Sequence, residues 1–95
     1  MKDRQMYIDK LSAQLKEWDA EISKLEAKAD KVKADARIEY EKQITDLQNK
    51  KLEVKNRIGE IREAGEDAWE ELKEGAEKSI QTMKNALNNA LSRFK

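Results

Sequence analysis

The stretch Lys28-Ala29-Asp30-Lys31-Val32-Lys33-Ala34-Asp35-Ala36-Arg37-Ile38-Glu39-Tyr40-Glu41 decides how the chain is read, because it either carries one helix through its middle or reverses it. It holds no glycine, proline or asparagine, the residues on which turns lean. Upstream, Ile8, Leu11, Leu15, Trp18, Ile22, Leu25, Ala29, Val32 and Ala36 follow one another at alternating steps of 3 and 4, a heptad seam that runs straight into the stretch. Beyond Ala36 the steps become 4, 4 and 3 through Tyr40, Ile44 and Leu47, and the pattern resumes through Lys51, Val54, Ile58 and Ile61. A skip of this kind alters a supercoil without ending a helix. Lys51, the one charged seam residue, either fixes register or extends its ammonium to water, and the second reading is favoured. The spacing therefore predicts one helix over residues 3–63, about 90 Å long at 1.5 Å per residue.

A stop is written just beyond. Gly65 suits a left-handed C-terminal cap, and Asp67 with Glu70 matches a capping box, so the turn is placed at 64–66 and a second helix at 67–94. Its seam passes through Ala68 or Trp69, Leu72, Ala76, Ile80, Met83, Leu87, Ala90 or Leu91, and Phe94. The expected fold is all-α: residues 1–95 form a single unit, a long helix and a shorter one in an antiparallel helical hairpin. The short helix, about 42 Å, covers only half of the long one. The seam from Ile8 to Ala36 then calls for a second chain, and an antiparallel coiled-coil homodimer supplies it. Ala27, Ala29, Val32, Ala34 and Ala36 are small enough to let two backbones approach at its dyad. The rival architecture, less favoured for want of turn chemistry, breaks near residues 34 and 65 into a monomeric three-helix bundle.

Composition excludes much. Asp, Glu, Lys and Arg make up 42% of the chain, and there is no proline, cysteine or histidine, which is the composition of long helices rather than sheets. Twenty bases balance twenty acids, so there is no basic excess of the kind that nucleic acid demands, and no nucleic-acid partner is expected. The charges are nonetheless graded. Residues 1–59 carry a net charge of +2, 60–77 of −6 and 78–95 of +4. Acids first and bases last is the order that suits a helix dipole. The first ten residues lack the apolar run of a signal peptide and no run approaches a membrane span, so a cytoplasmic protein is expected.

Chemistry-bearing groups are sparse. Without histidine or cysteine the usual nucleophiles and transition-metal ligands are missing, and no cofactor, metal site or catalytic residue is assigned. Glu17 with Glu21, Asp35 with Glu39, and Glu70 with Glu74 stand one turn apart, but di-metal bundles add histidines to such pairs, and these read as solvated charges. Asp46 with Lys50, Glu53 with Arg57, and Glu74 with Lys78 are set for ion pairs between successive turns. Trp18 and Trp69 fall at seam spacing and are assigned to core. Residues 78–95 are basic, acid-free and amide-rich, with Ile80, Met83, Leu87, Leu91 and Phe94 on one face, a pattern that suits a membrane-surface helix or a terminal bundle helix.

Tyr7, Lys10-Leu11, Ala13-Gln14-Leu15, Glu17-Trp18, Ala20-Glu21-Ile22 and Lys24-Leu25-Glu26-Ala27-Lys28-Ala29-Asp30 resemble a family of small bacterial coiled-coil proteins labelled stress-response or apolipoprotein-like. The likeness continues through Ala34-Asp35-Ala36, Ile38, Tyr40, Gln43, Ala68-Trp69-Glu70, Leu72-Lys73 and Gly75 to Ser92-Arg93-Phe94-Lys95. The chain departs from the pattern where Met83 and Leu87 stand in place of a second tryptophan after the Lys-x-Gly stretch. The resemblance implies a bacterial cytoplasmic helical protein with no active site to carry over. The function expected is thus that of a non-enzymatic structural or protein-interaction element, with lipid-surface binding as the alternative.

Overall fold

A computed structural model of the chain describes residues 2–94, which lie in helices, in the turns between them or, for Phe94, just past the last helix. Three helices follow in order: α1 over Lys2–Ala29, α2 over Ala34–Glu63 and α3 over Trp69–Arg93. α2 packs antiparallel against both α1 and α3, in a rod of 51 × 19 × 17 Å. A continuous helix over 3–63 would need about 90 Å and does not fit that rod. The expected long helix is therefore two helices, and the hairpin is a three-helix bundle.

The chain reverses at residues 30–33, Asp-Lys-Val-Lys, without a glycine, proline or asparagine. Lys33 sits in extended backbone, φ −66° and ψ 157°, which is open to any residue, and no described residue has positive φ. One extended residue at the start of α2, after the turn that ends α1, is enough to redirect the chain. Ala29 is buried beneath this turn, Val32 half-buried and Ala36 exposed, so the small residues expected at a dyad between chains instead crowd the end of the bundle. The irregular step after Ala36 is the junction of two separate stripes.

The second turn also differs from expectation. Gly65 has no left-handed φ, and α3 starts after Ala68, whose backbone is helical and which makes no side-chain cap bond. The Asp67–Glu70 capping box does not form. The Gly65 carbonyl instead accepts from Ala68 N at 3.1 Å and Trp69 N at 3.2 Å.

The core is one apolar column. α1 contributes Ile8, Leu11, Trp18, Ile22, Leu25 and Ala29; α2 contributes Tyr40, Leu47, Val54, Ile58 and Ile61; α3 contributes Trp69, Ala76, Ile80, Met83, Leu87 and Ala90. Among the described residues no polar or charged one is buried. The three stripes face inward because each repeats near 3.6 residues, and burying them against one another is what makes helices of this length stable in water.

Candidate functional site

Functional surfaces must be sought on a bundle whose ends are closed from within. The last carbonyls of a helix have no partners of their own. At the end of α1, Arg37 reaches back from the first turn of α2, donating from Nε to Ala29 O at 3.1 Å and from Nη2 to Asp30 O at 3.1 Å. At the end of α2, Arg4 crosses from α1 and donates to Ala64 O and, at 3.5 Å, to Ile61 O, with Glu66 at 3.9 Å. At the end of α3, Lys28 donates to Phe94 O at 3.4 Å. Each negative helix end thus meets a cation from another helix. Sequence reading missed all three, and the available signal was a long cation placed within one turn of a neighbouring helix end.

Aromatic pairs mark the two ends. Near the α2–α3 turn, Tyr7 and Trp69 stand 6.2 Å apart with planes tilted by 43°, and Lys73 Nζ lies 5.1 Å from the first ring and 5.3 Å from the second. The Tyr7 hydroxyl donates to Glu77 at 2.8 Å, tying α1 to α3. Burial, and then the bond to and charge of Glu77, push the Tyr7 phenol well above its usual range. The phenol is held in its neutral form. At the other end Tyr40 stacks on Phe94 at 3.9 Å, and Arg93 pairs with Glu39 at 2.8 Å.

The proposed oligomer seam is spent within the chain. Ile8, Leu11, Trp18, Ile22, Leu25 and Ala29 are buried, Leu15 and Val32 are half-buried against the same core, and Ala36 alone is exposed. The cover that a second chain was expected to give is supplied by α2 and α3. The candidate lipid face meets the same fate, with Ile80, Met83 and Leu87 buried and Leu91 and Phe94 half-buried. Lys51 extends from the seam to pair with Asp19 on α1, so its ammonium does reach the bundle edge but finds a partner there.

The groove between α2 and α3 is open and lined mostly by charged and polar side chains. Lys50, Arg57 and Lys78 line the α2–α3 groove beside Ser79 and Thr82. Each is already matched by a carboxylate, Asp46 at 2.6 Å, Glu53 at 3.2 Å and Glu74 at 3.8 Å, the three pairs expected from spacing. Such exposed pairs are worth only about 0.3–0.5 kcal/mol each. Among the described residues no three of Asp and Glu converge as metal ligands would, and no helix is long and apolar enough to cross a membrane.

What is left for recognition is the outer surface. Among the described residues the exposed large apolar ones are Met6, at the start of α1, and Ile38 and Leu52, both on the outward side of α2. Comparison of the chain with protein-family models, with curated proteins and with solved structures gives no match.

Proposed function

We propose that this chain is a non-enzymatic structural or protein-interaction element that works as a preformed bundle and associates, with itself included, through its outer helical faces. The observation that carries this reading is that no polar or charged residue as a whole is buried among the described residues, the buried polar atom without a partner being Arg57 Nε on an arginine already paired with Glu53 and Glu60. Catalysis calls for positioned, partly desolvated groups of altered acidity. The Tyr7 phenol is shifted so as to stay neutral and is engaged in joining two helices. A cytoplasmic role in bacterial stress tolerance, implied by the resemblance, belongs to the same proposal. Sedimentation equilibrium over a concentration series tests it: a mass rising above 11.1 kDa while the helical signal stays constant supports association of the folded bundle. A mass fixed at one chain throughout counts against self-association.

A second reading rests on α3, which has no acid after Glu77 and carries Lys78, Lys84 and Arg93 beside its apolar face. Because α1 and α2 cover that face, a lipid surface has to open the bundle to reach it. Trp18 and Trp69 are already buried, so emission colour is a poor readout of opening. Flotation with anionic vesicles combined with near-ultraviolet circular dichroism decides: binding with loss of the aromatic signal favours the lipid reading, and no binding at low salt removes it.

A further inference from the structure

We infer that the outward face of α2 is a docking surface for a second copy of this chain, laid antiparallel. The inference deepens the proposed function by placing its self-association on one surface. Thr45, Asn49, Leu52, Asn56 and Gly59 succeed one another at steps of 4, 3, 4 and 3, the spacing of a coiled-coil seam, on the side of α2 turned away from the core. None is charged, in a chain that is 42% charged. Continuing the same steps reaches Lys42 and Ile38 at one end and Glu63 at the other. Leu52 is 52% exposed and Ile38 54%, two large apolar side chains that the monomer leaves in water.

Three features of this stripe suit a partner chain. Gly59 sits inside a helix, where glycine costs about 1 kcal/mol relative to alanine. Yet its φ is ordinary, and a Cβ built there meets nothing within 4 Å. Beside it lies the open groove between α1 and α2, to which Leu15, Leu52 and Ile58 contribute apolar surface. Lys42 and Glu63, the only charges of the stripe, have no ion-pair partner among the described residues, although Asp46 and Glu60, one turn from them, do.

An antiparallel copy uses all three. With the seams in layers, Leu52 meets the partner's Asn49 and Thr45 meets the partner's Asn56. Lys42 crosses the gap left by the partner's Gly59, one turn from the partner's Glu63, which itself stands opposite Ile38 at the end of the partner's groove. A parallel copy places Lys42 on Lys42 and Glu63 on Glu63, which charge repulsion forbids at low salt. Within one chain Lys42 and Glu63 are 21 residues apart on one helix, so they meet only between copies.

The test is sedimentation equilibrium of the full chain at low salt from about 10 μM to about 1 mM, a range that covers weak association. The chain is expected to dimerise, and Leu52→Glu to weaken the dimer roughly tenfold or more by setting a carboxylate in the seam. Lys42→Glu and Glu63→Lys are each expected to weaken it several-fold, and the double exchange to restore it. These positions are exposed, so helical content holds in every variant. A dimer indifferent to Leu52→Glu overturns this surface while leaving self-association standing. A double exchange that fails to restore the dimer overturns the antiparallel register, and a monomer at about 1 mM overturns both this inference and the self-association part of the proposed function.

Discussion

The α1–α2 turn at residues 30–33 and the α2–α3 turn at residues 64–68 both reverse the chain between helices of similar length, yet only the second contains a glycine. Neither uses positive φ. Each places an extended residue at the junction, Lys33 in the first and Ala64 in the second, with ψ of 157° and 155°. Each is then sealed by an arginine from the helix that begins or ends beside it. A helical reversal in this protein is therefore made by a side chain that satisfies the abandoned carbonyls, and glycine is incidental to it.

The strongest way to break that comparison is a proline at residue 34. Ala34 is the first residue of α2, its N–H donates no backbone hydrogen bond across the turn, and Lys33 before it has the extended backbone that a residue preceding proline prefers. Ala34→Pro is expected to stabilise the chain by about 0.5–1 kcal/mol in urea unfolding. Were a helix to run through this point, the same change would cost about 3 kcal/mol or more. The sign alone separates a bundle from the single long helix that the seam spacing suggests.

Removing the seals comes next. Arg4→Ala takes away the donor to Ala64 O and leaves a part-buried helix end open, and a loss of about 1–2 kcal/mol is expected. Arg37→Ala removes two bonds at the more exposed turn and is expected to cost about 1 kcal/mol. Hydrogen exchange should show faster opening at residues 26–33 in the second variant and at residues 60–68 in the first. Equal, global loss of protection in both would mean that the arginines do not act locally.

Alkaline pH sharpens the difference between the two ends. The folded Tyr7 phenol is raised above its unfolded value of about 10. The stability it contributes is thus fully present below about pH 10 and is lost as pH rises toward the folded value. At the opposite end Tyr40 is stacked on Phe94. The stability gap between the parent chain and Tyr7→Phe is expected to narrow above about pH 10, and a gap unchanged with pH would remove the Glu77 bond from the account.

Legibility followed the same division. The three apolar stripes, the burial of Trp18 and Trp69 and the ion pairs one turn apart were all open to periodicity, since each depends only on which residues share a helix face. The first turn was not. Val32 and Ala36 happen to keep the 3 and 4 stepping of α1, so a spacing rule passes over a reversal that occurs between them. The irregular step to Tyr40 and the arginine at 37 were the available signs, and neither belongs to the vocabulary of turns. The outward stripe of α2 escaped for another reason. Ile38 and Leu52 are off the main seam, and a pattern search centred on core positions assigns everything else to solvent.

The smallest expected effect bears hardest on the comparison. If the second turn depended on its glycine, Gly65→Ala would be destabilising by about 1 kcal/mol, the cost of forcing a side chain into the left-handed region. Here the backbone at residue 65 is on the ordinary side of φ, a Cβ meets nothing within 4 Å, and what the turn uses is the carbonyl, which accepts from Ala68 and Trp69. Alanine keeps that carbonyl and narrows the unfolded ensemble. Gly65→Ala is therefore expected to leave stability unchanged or raise it by about 0.4–1 kcal/mol in the same urea assay. A loss of about 1 kcal/mol would return the second turn to the glycine-capped class and leave the arginine seal as a property of the first turn alone.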